Sequence, residues 1–444
     1  MIKEPIFYVT PDPARAIGLE KILSDYHVVC LDDSPLIDLL LCAGVKVFSL
    51  ERALGKRNFL LRSTGQLLAH PQVLEYIKRH TGNLRPNILF FKPSKKIELV
   101  CQKEGYRMLG NRAYLNEKFE DKISFYPLCQ KWGLPIPPGE IKILKEANYQ
   151  DLTRCFGNKL VVQFGHGWAG NTTFFVEKAQ QWGTLVEKFG TRSVRITRFI
   201  KGQTYLNNAC ITKDRVFASS PAVQITAPRG FTRNPGGTCG RQWPSNLAPK
   251  LEGEIDRYTQ IIGKRMAKVG YKGYFGLDFL VEEETDKIYL SECNARLTAS
   301  VPLYTKMELL SGQKPLLLHH LEEFLGEPSS VEAKTRKAIK GAELLIRNNQ
   351  DQSVRVTCDF APGIYNFHQK ELRKRSSDYS LEGIKNKGEF FILAAACERI
   401  ITAENEIARL DSLEEILDKE GKVEPWARQA LLVVKEQLAL KTHG

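Results

Sequence analysis

One stretch constrains this chain more than any other: GLDFLVEEETDKIYLSECNAR, residues 276–296. It reads as two β-strands, 274–283 and 287–296, joined by a turn at Glu284, Thr285 and Asp286 to form a hairpin. Side chains two apart on a strand share a face, so Glu292 and Asn294 project together and Arg296 continues that face. Asp278 stands on the first strand between Leu277 and Phe279, and Tyr289 and Leu290 precede Glu292, so these charged groups sit among apolar neighbours. Three hard oxygen donors, Asp278, Glu292 and Asn294, converging from paired strands suit Mg2+, which takes carboxylates and keeps positions for phosphate oxygens. An arginine beside them can offset charge on a phosphoryl group in transfer. The plain alternative is a solvated face of an antiparallel pair.

Other features narrow the class. At roughly 100–200 residues per domain, 444 residues predict two to four units. With 43% hydrophobic and 26% charged residues, the chain has material for large cores. No apolar run approaches the ~18 residues of a membrane span; the longest, 390–397, reads as a buried strand or helix segment. The opening MIKEPIFYVT lacks an apolar signal region, which predicts a cytoplasmic location. Ten cysteines without a CxxC pair, and eight histidines without HExxH, argue against structural zinc and a disulfide scaffold. The net charge of +13 is dispersed rather than blocked, which reads as a solvated face and does not by itself decide the partner; neither nucleic acid nor a membrane is the expected one.

Strand-like segments at 5–10, 27–31, 46–50 and 87–91 alternate with helical stretches, including 14–24 and one opening at Asp32 to Pro35, and predict a small parallel sheet flanked by helices. A helix is expected from 115 to 132, closing at Gly133 before a proline-rich connector. Strands at 159–164 and 172–176 bracket a glycine-rich turn, and a helix runs to about Phe189. Residues 194–223 read as antiparallel strands, 226–249 as a long loop, and 251–269 as a helix leading into the hairpin. After about 330 a last unit opens with a strand within KAIKGAELLIRN.

The hairpin string, an acidic residue followed about a dozen residues later by E-x-N-x-R, resembles the C-terminal signature of the ATP-grasp superfamily. The resemblance covers about 115–325 and implies an α/β chain with an α+β ATP-grasp part. It implies a Rossmann-like domain at 1–114, ATP-grasp subdomains at 115–192 and 193–328, and a small α+β domain at 329–444. It implies ATP as cosubstrate and two Mg2+ ions, with Mn2+ as a substitute, held by Asp278, Glu292 and Asn294. Arg296 would face the γ-phosphate and the developing acyl phosphate, and Leu280 would pack on adenine. LNEKFEDKISFYPLCQKWGLPIPP resembles the family's opening helix and makes Lys122 a phosphate contact, with Lys118 one turn away as its substitute. KLVVQFGHGWAGNTTFFV is similar to the family's strand, glycine loop and strand, so Gly165, Gly167 and Gly170 would cradle phosphates. Where the family carries a lysine, this chain has Gln163. In VRITRFIKGQTYLNNACI, the adenine contacts would fall on Thr197, Arg198, Phe199 and Ile200.

The activity so implied is a carboxylate-amine ligase working through an acyl phosphate on small-molecule carboxylate and amine substrates, with amino acids or peptides preferred. A homodimer is compatible with it. Arg229, Arg233 and Arg241, within the loop, are candidate contacts for a substrate carboxylate. The alternative, supported by Gln163, is a nucleotide-binding or regulatory module with impaired catalysis. GHGWAG at 165–170 also spells G-x-G-x-x-G, but strand-like residues follow where a dinucleotide site or P-loop needs a helix.

Overall fold

The structure is a computed structural model that describes residue 2 and residues 4–59, 62–165, 172–327 and 337–443. Its first sheet is parallel and five-stranded, in the spatial order Lys46–Ser49, Tyr26–Cys30, Ile6–Thr10, Asn87–Phe90, Arg107–Leu109. The three middle strands are buried along their whole length. That is why the sequence shows continuous apolar runs here rather than alternation. The helix expected at 14–24 is instead a three-residue 3-10 turn, Pro13–Arg15, followed by irregular chain. Asp12 caps that turn, and Gly18 then takes a φ of +127° that ends any helical path.

The second sheet has four antiparallel strands, ordered Gly139–Ile143, Ser193–Arg198, Leu160–Phe164, Thr173–Val176. The helix expected at 115–132 is two helices, Ala113–Glu120 and Lys122–Lys131. Asp121 breaks it by taking an extended conformation and accepting the Ser124 backbone N–H at 2.7 Å, an N-cap in mid-pattern.

The third sheet has eleven strands and joins residues 202–294 to residues 341–412. Gly273–Glu282 and Ile288–Asn294 form the expected hairpin, and Gly202–Ile211 pairs along the whole of the first of these strands. The 226–249 segment is not all loop: Thr238–Trp243 is a strand that pairs with Ala222–Thr226 on one side and Gly341–Arg347 on the other. Gly240 makes that second pairing fit, since its φ is +146° and a side chain there would run into the backbone at Glu343. The 390–397 run contributes the buried strand Glu389–Ala394. No helix among the described residues is long and apolar enough to cross a membrane.

Candidate functional site

A bulge between Asp278 and Phe279 sets the register of the hairpin, and Asp278 lies directly opposite Glu292. Asn294 donates to Asp278 Oδ2 at 3.2 Å, and Gln224, on the next strand but one, donates to Asp278 Oδ1 at 2.7 Å. Lys122, at the first turn of its helix, is buried and reaches Glu292 Oε1 at 2.9 Å. Arg296 is held on every side. It donates to Asn294 Oδ1 at 2.7 Å, to Glu120 Oε1 at 3.1 Å and to the Leu297 carbonyl at 3.1 Å, and its guanidinium lies 4.9 Å from the centre of the Phe91 ring. Lys92 completes the Glu120 pair at 2.9 Å.

These side chains open into one cavity of about 1000 Å³. The four-stranded sheet supplies Gln163 and Thr197, the eleven-stranded sheet Asp278, Leu280, Glu292 and Asn294, and the connector between the sheets Phe199 and Ile200. Arg198 also lines it and is tied to Glu282 at 2.9 Å and to the Tyr289 hydroxyl at 3.1 Å. Among the described residues, ten Lys or Arg against five Asp or Glu line the cavity, an excess that suits a polyanion.

Several sequence expectations fall elsewhere. Lys118 does not line the cavity; Lys122 does. Gly165 lies against the start of the Lys122–Lys131 helix, where its carbonyl accepts the Lys122 N–H at 3.0 Å and a side chain would overlap Asp121. Gly167 and Gly170 lie outside the described residues. Of the three arginines between 226 and 243, Arg241 lines the cavity, whereas Arg229 and Arg233 are exposed and Arg233 pairs with Asp351.

Arg195 was missed in the sequence. It is the cross-strand neighbour of Gln163 and donates to Gln163 Oε1 through Nε, at 3.1 Å, and through Nη2. It is 5% exposed, lines the cavity and also donates to the Ser291 carbonyl at 3.1 Å. A cation therefore stands beside the position where the sequence shows only an amide. An arginine inside the β-branched run Val194 to Thr197 was the available signal, because a charge in a strand buried on both faces needs a reason. Glu120, Arg15 and Phe91 were likewise invisible as cavity residues, since nothing local marks them.

Among the described residues, no three His, Cys, Asp or Glu side chains are grouped to hold a metal ion. The donor set here is two carboxylates and an amide, and its electrostatics fit a cation. Asp278 opens onto the cavity but lies deep beneath the protein surface. Burial first, and then the Glu292 charge, push its carboxyl up to about 7. A divalent ion between the two would remove the repulsion.

This yields a pH prediction. A carboxyl raised in the folded state favours folding when protonated. That contribution is full below about pH 4, the ordinary range, and is lost as pH rises through about 7. Mg2+ should therefore raise the melting temperature more at pH 8 than at pH 6 in thermal unfolding followed by circular dichroism. An equal shift at both values would remove Asp278 from the ligand set.

No family model matches the chain. It is 20% identical over 229 residues to the carbamoyl phosphate synthase arginine-specific large chain of Halalkalibacterium halodurans, covering 51% of this chain and 21% of that one. The match thus spans about a fifth of that relative's length. Among solved structures, it superposes on an ADP complex of N5-carboxyaminoimidazole ribonucleotide synthetase with a TM-score of 0.59 and 10% identity over 98% of each chain. It also superposes on the biotin carboxylase domain of 2-oxoglutarate carboxylase from Hydrogenobacter thermophilus, solved with MgADP, ADP and bicarbonate. There the TM-score is 0.60 and the identity 12%, over 92% of this chain and 86% of the other.

Proposed function

The chain has the ATP-grasp fold, and on that premise we propose that it is an ATP-dependent, ADP-forming ligase that activates a carboxylic acid and joins it to an amine. An amino acid or peptide is the preferred acid. The observation that carries this reading is the convergence of Asp278, Glu292, Asn294 and Arg296 with Lys122 and Arg195 in one cavity. Asp278, Glu292 and Asn294 would hold magnesium, which when bound offsets charge on the phosphate oxygens. The backbone from Thr197 to Ile200 takes the adenine edge, with Leu280 against its face.

Arg195, braced by Gln163, supplies the phosphate-facing charge that Gln163 lacks, and Lys122 supplies a second. Arg296 lies where the γ-phosphoryl group passes to a carboxylate oxygen. The acyl phosphate so formed is attacked by the amine, and phosphate leaves as the C–N bond closes. The chain contributes mainly position and fixed charge, as phosphoryl transfer requires. In this reading Gln163 marks a relocated cation rather than lost catalysis.

A second reading is favoured by the bicarbonate held in the Hydrogenobacter structure. It takes bicarbonate as the acid, with a carboxylated amine as product. ADP release from Mg-ATP, measured with pools of amino acids and short peptides and separately with bicarbonate and amines, tests both. Substrate-dependent release that disappears in Asp278→Ala and Glu292→Ala supports a ligase, and the pool that drives it decides the acid. Nucleotide binding without turnover in any pool would favour a binding module.

Arg195 has its own test. Replacing it by alanine should weaken MgADP about ten- to a hundredfold, as expected for loss of a charge-assisted contact. Arg195→Lys should recover part of this in isothermal titration. Unchanged affinity would reduce Arg195 to a brace for Gln163.

A further inference from the structure

The nucleotide reading leaves part of the cavity wall unexplained. A second charged group lines it, drawn from three parts of the chain: Arg15, Arg241, and Glu343, Arg347, Glu406 and Arg409. Arg409 holds Glu406 through two hydrogen bonds of 2.6 and 2.8 Å and lies 3.6 Å from one oxygen of Glu343. Arg241, 8% exposed, lies 3.6 Å from the other oxygen of Glu343. Arg347 is turned to two carbonyls, those of Thr238 at 2.8 Å and Glu404 at 3.1 Å. Among the described residues the carboxylate that pairs with Arg15 is Asp12, at 4.0 Å. Four guanidiniums thus share two lining carboxylates. Arg15 Nη1 and Arg241 Nε are both buried and find no hydrogen-bond partner among the described residues. Burial, and next the like charge of Arg409, lower the Arg15 pKa, as befits a guanidinium short of counter-charge.

The location is one where ligands bind. Arg15 follows the strand Ile6–Thr10, and Phe91 follows the adjacent parallel strand Asn87–Phe90. Onward connections from these two strands run to opposite sides of the sheet, which opens a crevice at their carboxyl ends. Arg15 and Arg296 both lie on the Phe91 ring, at 5.1 and 4.9 Å from its centre. The second charged group therefore adjoins the arginine proposed to meet the transferring phosphoryl group.

We infer that this end of the cavity binds the second substrate, and that this substrate carries an anionic group, carboxylate or phosphate, remote from its reacting amine. Such a group accepts from Arg15 Nη1 and Arg241 Nε, which have no hydrogen-bond partner among the described residues. A neutral acceptor can take such hydrogen bonds but brings no counter-charge, so an anion is held more tightly than its neutral twin. The word substrate rests on the ligase reading; the anion site stands on the arginines alone.

The test is isothermal titration of succinate against succinamide, and of ribose 5-phosphate against ribose, into nucleotide-free and MgADP-saturated protein. At least one anion should bind tenfold or more tighter than its neutral twin, and which one does separates carboxylate from phosphate recognition. Its affinity should fall tenfold or more in Arg15→Gln and in Arg241→Gln, with the MgADP Kd of Arg15→Gln within threefold of the parent. Arg15, outside any strand and partly exposed, decides the matter where Arg241→Gln disturbs folding. Absence of anion binding in both nucleotide states, equal binding of the neutral twins, or parent-like affinity in Arg15→Gln would overturn the inference. Anion binding that persists in a protein unable to bind MgADP would remove the ligase reading and leave the anion site standing.

Discussion

Replacing Arg296 by alanine should lower turnover about a hundred- to a thousandfold while MgADP affinity changes little, the pattern for loss of a charge that acts mainly in the transition state. The structure gives the reason for so large an effect. Four partners, Asn294, Glu120, the Leu297 carbonyl and the Phe91 ring, fix the guanidinium before any substrate arrives. Little reorganisation is then needed when charge develops, which is what makes a fixed donor effective in a site shielded from water. Arg296→Lys keeps the charge but loses the fork, and should recover only a small part of the rate. Initial rates and nucleotide titration on the same variants separate the possibilities. Equal losses of affinity and rate would make Arg296 a ground-state contact. Unaltered turnover would make it a structural partner of Glu120.

The largest expected effect on stability lies away from the cavity. Glu51 is 1% exposed and accepts four hydrogen bonds: from Arg399 at 2.9 and 2.6 Å, and from the backbone N–H groups of Asp33 and Asn58 at 2.9 Å each. Arg399 also meets Asp32 at 3.2 Å. Nearby, Arg57 donates to the Cys397 carbonyl at 2.9 Å and Asn58 to that of Glu398 at 2.8 Å. These contacts fasten the parallel sheet to the C-terminal part of the chain, which brings Arg409 to the cavity that Arg15 lines. Glu51→Ala removes both of the hydrogen bonds that Arg399 makes to it, leaves that buried guanidinium with Asp32 and the Asp33 carbonyl, and strips two backbone donors of their acceptor, which should cost about 3–5 kcal/mol in urea unfolding. Glu51→Gln keeps the shape and two acceptor sites and should cost less. A loss below about 1 kcal/mol, within the range of an exposed pair, would mean that the junction is not held by this contact.

Much of the site could be read from the hairpin. Its period of two, its tight turn and its four candidate side chains lie within 21 consecutive residues, so local pattern put Glu292 and Asn294 on one face with Arg296 continuing it, while the bulge that sets Asp278 opposite Glu292 could not be read. Lys122 could be read by its place in the opening helix, although the break at Asp121 could not. A capping aspartate in the middle of an amphipathic pattern looks like any surface acid until its side chain is seen on the Ser124 N–H. The strand Thr238–Trp243 was hidden for a related reason. Arg241 and Gln242 are polar yet buried, and the strand they lie on is paired with residues 341–344, about a hundred positions along the chain. Gln242 also accepts the Ile416 N–H at 2.7 Å.

The sequence by itself determined the class of fold, the hairpin and the polar side chains it carries, because each depends on spacing within a few turns of chain. Tertiary structure alone decided where the charges balance. Arg195 meets Gln163 across two strands 32 positions apart, Lys122 meets Glu292 across 170, and Arg399 meets Glu51 across 348. Such pairs leave no period in the sequence. A guanidinium reads the same whether it will be solvated or buried, and only the closing of one sheet over another removes the water that would otherwise make the difference negligible.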